Sequence, residues 1–175
     1  MDVFPVLRLV CPSTAYQVSY MAAVDEFLAE GRPPEWNLDM MEAHFDEYVQ
    51  MLLDKETDPA PSLARETRYW SVMGNEFVGR VDIRHTLVGH LMWYGGHIGY
   101  DIRPLARRKG YGKQQLALAL PKARDLGIER ALITCDDDNF GSIRIIEANG
   151  GVLENKVDNG RGVLSRRYWI ETSIQ

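Results

Sequence analysis

Apolar residues in the first third of the chain recur every three or four positions, which is the period of an α-helix. This spacing predicts two helices after a short apolar strand at residues 4–10. The first helix has an apolar side made of Tyr20, Met21, Val24, Phe27 and Leu28. The second has an apolar side made of Met41, Phe45, Tyr48 and Leu52.

Polar residues mark where these two helices should begin. Thr14 with Gln17, and Asp39 with Glu42, have the spacing of a capping box, in which two side chains satisfy the free N–H groups of a helix start. The other side of the second helix is polar and mostly acidic, with Glu42, Asp46, Glu47, Gln50 and Asp54. It is either a solvated face or a recognition surface for cationic substrates.

From residue 66 onward the apolar period shortens to two, which indicates β-strands. Residues 66–73 and 77–84 flank a Gly-Asn turn and are predicted to form an antiparallel hairpin. In its second strand the predicted apolar face is Phe77, Gly79, Val81 and Ile83. The Leu-Met-Trp-Tyr segment at residues 91–94 is interpreted either as core or as the wall of a ligand pocket.

The remaining elements follow in a regular order. They are a strand at 97–103, a helix at 110–126 that contains Pro121, a buried strand at 131–135, a short isoleucine-rich helix, and a hairpin of 152–157 with 163–170. The order predicts an α/β fold of the α+β type. Its centre is a single mixed, mostly antiparallel sheet with helices on both faces.

Length and composition limit the class of protein. The 175 residues are predicted to form one domain, residues 1–175. No apolar run is long enough to span a membrane, and no leader precedes the first strand, so we expect a cytoplasmic protein without a membrane partner. The net charge of −5 argues against a nucleic-acid partner. The four histidines lack metal-ligand spacing, and whether the chain forms a homodimer stays open.

One basic, glycine-rich turn joins the strand at 97–103 to the following helix. Backbone N–H groups and positive charge at a helix N-terminus favour a phosphate ligand. A dinucleotide motif does not fit, because Gln115 stands where its third glycine belongs. A P-loop does not fit either, because Arg107 replaces its first glycine and Gln114 its Ser or Thr.

The pattern that remains is Arg107-x-x-Gly110-x-Gly112. It resembles the acetyl-CoA-binding signature of the GNAT acyltransferase superfamily, Gln/Arg-x-x-Gly-x-Gly/Ala. A second family element, Asn-x-x-Ala/Ser at the start of a helix, matches Asn139 and Ser142. The resemblance covers about residues 77–170, while the first 65 residues match only in the order of their elements.

The resemblance implies that acetyl-CoA is the co-substrate. Its pyrophosphate would bind the turn and its pantetheine arm would run beside the preceding strand. The implied cofactor-binding residues are Ile102, Arg103, Arg107, Arg108, Lys109, Gly110, Tyr111, Gly112, Lys113, Asn139 and Ser142.

Two family catalytic positions carry unexpected residues. Many relatives have a tyrosine that acts as the general acid at the position of Ile146 in this chain. The ribosomal N-terminal acetylating branch has a glutamate at the position of Thr134 in this chain. Asp101 is the first candidate base, because strand alternation places it on the face of His97 and Gly99. Tyr168 is the first candidate acid. The reserve bases are His97 and Asp136, and Cys135 is a weaker candidate as a nucleophile because no His partner is indicated.

The predicted function is therefore an N-acetyltransferase that transfers acetyl from acetyl-CoA to a primary amine by direct attack in a ternary complex. The acceptor is an unknown small molecule or a protein side chain, and the acidic composition leans weakly toward a cationic one. The missing tyrosine and glutamate keep an alternative open, a catalytically silent acyl-CoA-binding domain. Nucleic-acid binding through the basic run at residues 107–109 is a third hypothesis.

Overall fold

The computed structural model describes residues 6–34, 37–58 and 63–173 and contains two antiparallel sheets. The first sheet has the order β1-β2-β3-β4, with β1 at Arg8–Val10, β2 at Glu66–Met73, β3 at Glu76–Arg84 and β4 at Ile98–Ile102. The second has the order β5-β7-β6, with β5 at Arg130–Asp136, β6 at Val152–Asp158 and β7 at Leu164–Glu171.

Helices cover both faces of the first sheet. The helices are α1 (Gln17–Ala29), α2 (Leu38–Ala43), α3 (Phe45–Asp54), α4 (Leu91–Tyr94), α5 (Tyr111–Asp125) and α6 (Phe140–Glu147). The first three share an aromatic core with β2 and β3, centred on Trp70. On the opposite side, α5 and α6 share an aliphatic core with β3, β4, β5 and β7. The predicted α/β class is confirmed, but the predicted single mixed sheet is wrong, because among the described residues β4 and β5 share only an isolated bridge and the strands divide into two antiparallel sheets.

The predicted second helix is divided in two at His44, whose φ of −137° and ψ of 54° are not helical. Its four predicted apolar residues are nevertheless all buried, and its acidic side is exposed. The predicted caps are wrong. The Asn37 side chain accepts a hydrogen bond from Met40 N at 3.3 Å, and the Ser13 side chain accepts one from Ala15 N. Part of the first predicted strand, residues 4–5, lies outside the described residues.

A β-bulge corrects the predicted face of Phe77. Ser71 pairs with Gly79 and Val72 with Phe77, so β3 contains one extra residue at Val78. An extra residue reverses the alternation of side chains beyond it. Phe77 consequently joins the aromatic core on the α1 side, while Val81 and others of the predicted face pack under α5.

The aromatic segment of α4 is mostly exposed rather than core. Leu91 is buried, whereas Met92, Trp93 and Tyr94 are 43%, 57% and 40% exposed. The Arg167 guanidinium lies 5.8 Å from the centre of the Trp93 ring, and its Nε donates to Met92 O. The short helix is therefore fastened to β7 by its backbone and by a cation–π contact.

The two sheets meet at the start of β4. His97 N donates to Leu132 O at 2.7 Å, and Leu132 N donates to His97 Nδ1 at 2.9 Å. Gly96 forms an isolated bridge with Ile133 and has a φ of +70°. Beyond this contact, no strand ladder within residues 63–173 joins β4 to β5. The two strands therefore leave a gap at the ends where they point toward α5 and α6.

We predict that Gly96→Ala destabilises the fold more than Gly89→Ala. Both glycines have positive φ, but a Cβ at Gly96 would lie 2.5 Å from Leu132 O, whereas nothing lies within 4 Å at Gly89. The free energy of unfolding should fall by about 1 kcal/mol for Gly89→Ala and about 3 kcal/mol for Gly96→Ala, as measured by urea denaturation. Equal losses would show that the close approach to β5 contributes nothing.

The hydrogen bond that His97 accepts makes the stability of the fold depend on pH. Burial lowers the pKa of His97, and only its neutral form accepts from Leu132 N. The stabilisation is complete above the unfolded pKa of about 6.5 and is lost as the pH falls below it, because the unfolded state then binds the proton first. His97→Asn keeps an acceptor that does not titrate. Its urea midpoint should fall less than that of wild type between about pH 7.5 and 5.5, and parallel curves would contradict this.

Candidate active site

A cleft of about 740 Å³ lies beside β4, where the two sheets separate. Its walls come from the end of α1 and the following loop, from β4, from the basic turn, and from the first turn of α6. The cleft is lined by Glu30, Arg32, Tyr100, Asp101, Ile102, Ala106, Arg107, Arg108, Gly110, Tyr111, Gly112, Lys113, Asn139, Gly141, Ser142, Arg144 and Ile145. Basic side chains and backbone N–H groups thus surround one end of it.

The basic turn exposes a series of backbone donors. Gly110 has a φ of +82° and is the N-cap of α5, and Arg108 has a φ of +61°. The backbone N–H groups of residues 108–113 donate no hydrogen bond to any part of the chain that the structure describes. Six successive donors at a helix N-terminus form a favourable site for an anion such as a pyrophosphate.

Two basic residues near the turn have structural partners. Arg107 donates from Nε to Ile102 O at 3.1 Å and forms an ion pair with Glu30 at 2.7 Å, at the edge of the cleft. Arg103 turns toward α1, where it forms an ion pair with Glu26 and donates to Phe77 O. Arg103 and Lys109 line a separate depression rather than the cleft.

The free edge of β4 also faces the gap. Arg103 N donates to Val78 O on β3, and donors alternate along a strand, so the N–H groups of Tyr100 and Ile102 point away from β3. The N–H of Ile102 donates to Asp101 Oδ1 at 2.9 Å. This leaves the N–H of Tyr100 directed into the gap beside the cleft.

Asn139 and Ser142 line the cleft across from β4, and their contact with a pantetheine arm stays a prediction. The Asn139 side chain accepts from Ser142 N at 3.0 Å and so caps α6. The Ser142 hydroxyl is hydrogen-bonded to the Tyr100 hydroxyl at 2.6 Å. Tyr100 and Ser142 also line a second cavity of about 240 Å³ on the side of β5. Their contact therefore crosses the gap between the two sheets.

Sequence reasoning missed Tyr100 as a site residue. The signal was present, because alternation places Tyr100 opposite Asp101 on the same strand. Burial raises the pKa of Tyr100, so its phenol is protonated at neutral pH.

Asp101 lies at the boundary between the cleft and a smaller pocket under α1. Its side chain is 18% exposed and forms an ion pair with Arg32, in the loop after α1. The hydrogen bond that Arg32 donates to Asp101 raises the pKa of the Arg32 guanidinium. Asp101 thus faces the helical layer formed by α1, and Arg32 is a neighbour of Asp101 that the sequence did not indicate.

The other candidate catalytic groups lie in different surroundings. The Tyr168 hydroxyl is buried in the core, donates to Glu147 Oε1 at 3.0 Å and accepts from Arg166 at 3.3 Å. Burial raises the pKa of the Cys135 thiol to about 11, which makes it a poor nucleophile at neutral pH. Ile146, at the position of the family tyrosine, is fully buried.

Comparison with known proteins identifies the family. The model of the acetyltransferase (GNAT) domain matches residues 6–152, and the chain therefore belongs to this family. The family match confirms the predicted enzyme class, an acetyl-CoA-dependent N-acetyltransferase. No curated protein sequence matches the chain.

Solved structures of acetyltransferases share the fold. One, from Salmonella typhimurium, modifies the N-terminal serine of a 50S ribosomal subunit protein and has 18% identity and a TM-score of 0.65, with 94% of each chain covered. YncA from the same organism, with its cofactor acetyl-CoA, has 14% identity and a TM-score of 0.59 over 99% of this chain and 96% of its own. A variant of spermidine N-acetyltransferase SpeG from Vibrio cholerae has 17% identity and a TM-score of 0.61 over 96% and 95%.

The described helices and side chains also bear on membrane insertion and metal binding. None of the helices in the described ranges is long and apolar enough to cross a membrane. Among the same residues, no group of His, Cys, Asp and Glu side chains could hold a metal ion. The cytoplasmic location stays a prediction.

We predict that Gly110→Asp weakens acetyl-CoA binding by more than about tenfold, because a carboxylate would face the pyrophosphate among the free N–H groups. Gly110→Asn is the matched control, since asparagine tolerates a positive φ and has the same shape without the charge. Isothermal calorimetry measures both affinities. If the two variants bind acetyl-CoA equally well, the turn does not bind the phosphates.

Proposed function

We propose that the protein transfers the acetyl group of acetyl-CoA to a primary amine by direct attack in a ternary complex. This proposal rests on the position of Asp101. Asp101 lines both the large cleft and the smaller pocket under α1, so ligands in the two cavities would meet at β4. An acyl donor in one and an amine in the other would then be held in contact, which is the main requirement of a direct transfer.

The donor is positioned by the turn and by both sides of the cleft. The pyrophosphate accepts hydrogen bonds from the free N–H groups of residues 108–113, with Arg108 and Lys113 adding positive charge. The pantetheine arm extends along β4 at Ile102 and passes Asn139 and Ser142 on α6. This path brings the thioester to the gap beside Tyr100.

The developing negative charge on the thioester oxygen is stabilised by the backbone N–H of Tyr100. That donor points into the gap and belongs to a strand that is fixed by β3 on its other edge. A preorganised N–H of this kind stabilises a tetrahedral intermediate by about 3 kcal/mol.

The transfer moves one proton from the amine to the protein and one proton from the protein to the CoA sulfur. The amine nitrogen attacks the carbonyl carbon, and Asp101 accepts the proton that the nitrogen releases. The carbon–sulfur bond then breaks and its electron pair leaves with the CoA sulfur, which takes up a proton. We propose the Tyr100 phenol as the donor of that proton, because it is protonated and lines the cleft, whereas Tyr168 is enclosed between Glu147 and Arg166.

Two tyrosine variants separate these assignments. We predict that Tyr100→Phe lowers kcat by about 100-fold while the acetyl-CoA affinity changes little. Tyr168→Phe should leave kcat unchanged and lower the free energy of unfolding by about 1 kcal/mol through the lost hydrogen bonds. Steady-state thiol release, calorimetry and urea denaturation give the three quantities. The reverse pattern would assign the acid to Tyr168, as the sequence predicted.

The alternative is a silent acyl-CoA-binding domain. It is favoured by Thr134 and by the buried Ile146, which cannot supply the family's usual acid. The two functions differ in one measurement, which is the release of CoA thiol from acetyl-CoA in the presence of a panel of primary amines. Amine-dependent release supports the transferase, and tight acetyl-CoA binding without release from any amine supports the silent domain.

A further inference from the structure

Charged side chains form an alternating row across the sheet face under α1. Arg68 and Asp82 form a buried ion pair, with Arg68 Nη2 donating to Asp82 Oδ2 at 2.9 Å. Arg80 Nη1 lies 3.3 Å from the same carboxylate, and Asp101 is the direct cross-strand partner of Arg80. Arg32 completes the row above Asp101. Three guanidinium groups therefore accompany two carboxylates.

The row ends in the small pocket under α1, which has a volume of about 50 Å³. Its charged lining consists of Arg32, Arg80 and Asp101, and of the two guanidinium groups Arg80 is already paired with the buried Asp82 carboxylate. The rest of the lining is almost entirely apolar, with Tyr20, Ala23, Val24, Phe27, Met41 and Phe77 among its residues. The pocket is thus suited to a small apolar group next to a negative charge.

Arg32 stands where an amine must approach Asp101. It lines both cavities, is 47% exposed, and its guanidinium lies 4.6 Å from the centre of the Phe27 ring. For Asp101 to accept a proton from the amine, its ion pair with Arg32 has to open. The open pair leaves a guanidinium beside Arg80 without its carboxylate.

The charge of the acceptor decides whether this opening is favourable. A purely cationic amine would pair with Asp101 but would leave the displaced Arg32 guanidinium next to a second positive charge, which is repulsive. An amine that also carries a carboxylate supplies a partner to each half of the opened pair. The carboxylate accepts two hydrogen bonds from a guanidinium, the geometry in which such pairs are strongest. Charge exchange of this kind leaves neither ion uncompensated.

We propose that the acceptor is a small amino acid, with its amine at Asp101, its carboxylate on Arg32 and its side chain in the apolar pocket. This inference rests on the proposed function and specifies its substrate class. It differs from the cationic acceptor that the overall acidity of the chain favours, because the displaced Arg32 guanidinium needs an anionic partner.

Matched ligands test the carboxylate directly in the wild-type protein. Thiol release is measured with alanine, valine and leucine, each against its own carboxamide, and with spermidine as a polycation. We expect kcat/KM to be at least about tenfold higher for each acid than for its amide, since a charged hydrogen-bonded pair is lost in the amide. Amides or spermidine that react as well as the acids would overturn the inference.

Variants locate the effect at Arg32. Arg32→Gln should lower the ratio of kcat/KM for each acid over its amide about tenfold, because only the acids lose a charged hydrogen-bonded pair, and this removes the preference. The control is Arg130→Gln, because Arg130 forms a surface ion pair with Glu171 and lines neither cavity. This control should keep the wild-type preference. An equal loss for acids and amides in Arg32→Gln would show that Arg32 only positions Asp101, and would contradict its role in substrate binding.

A binding measurement keeps the two proposals separable. If acetyl-CoA binds but no amine in the panel releases thiol, the transferase proposal fails. The acceptor class is then judged by calorimetric titration of each acid and amide into the CoA-loaded protein. Tighter binding of the acids supports the carboxylate site, and equal binding of acid and amide overturns it.

Discussion

The site depends on a single backbone contact between two sheets. At Gly96 and His97, β4 approaches β5 so closely that a glycine is required and a histidine nitrogen serves as the acceptor for Leu132 N. Beyond this point the strands separate, and the second edge of β4 has no strand partner within residues 63–173. An unpaired strand edge normally exposes donors that attract another chain. Here the edge borders the cleft, where its donors are within reach of a ligand.

Electrostatics organises the two sides of that edge differently. On the α5 side, backbone N–H groups at a helix N-terminus and nearby basic side chains form a site for phosphate. On the α1 side, a row of alternating charges ends in the ion pair of Arg32 with Asp101. The pair lies between the cavities, so in the proposed reaction an acceptor that reaches Asp101 has to displace Arg32.

Local sequence patterns predicted most elements and the cofactor turn, because period and glycine spacing act over a few residues. They missed features that depend on pairing between distant segments. The bulge at Val78 changed the face of Phe77, and only the register of β2 against β3 determines it. Arg32 and Asp101 are 69 residues apart, and Tyr100 meets Ser142 across 42. No periodicity encodes such contacts, so Arg32 was not among the predicted site residues, and the alternation that places Tyr100 opposite Asp101 did not reveal its contact with Ser142.

Amide hydrogen exchange upon addition of acetyl-CoA shows whether the free backbone N–H groups bind the cofactor, since it reports on those donors themselves. We expect slower exchange at residues 108–113 and at Tyr100, with Leu132 protected in both the free and the bound protein. Tight binding of acetyl-CoA with unchanged exchange at residues 108–113 and at Tyr100 would contradict it.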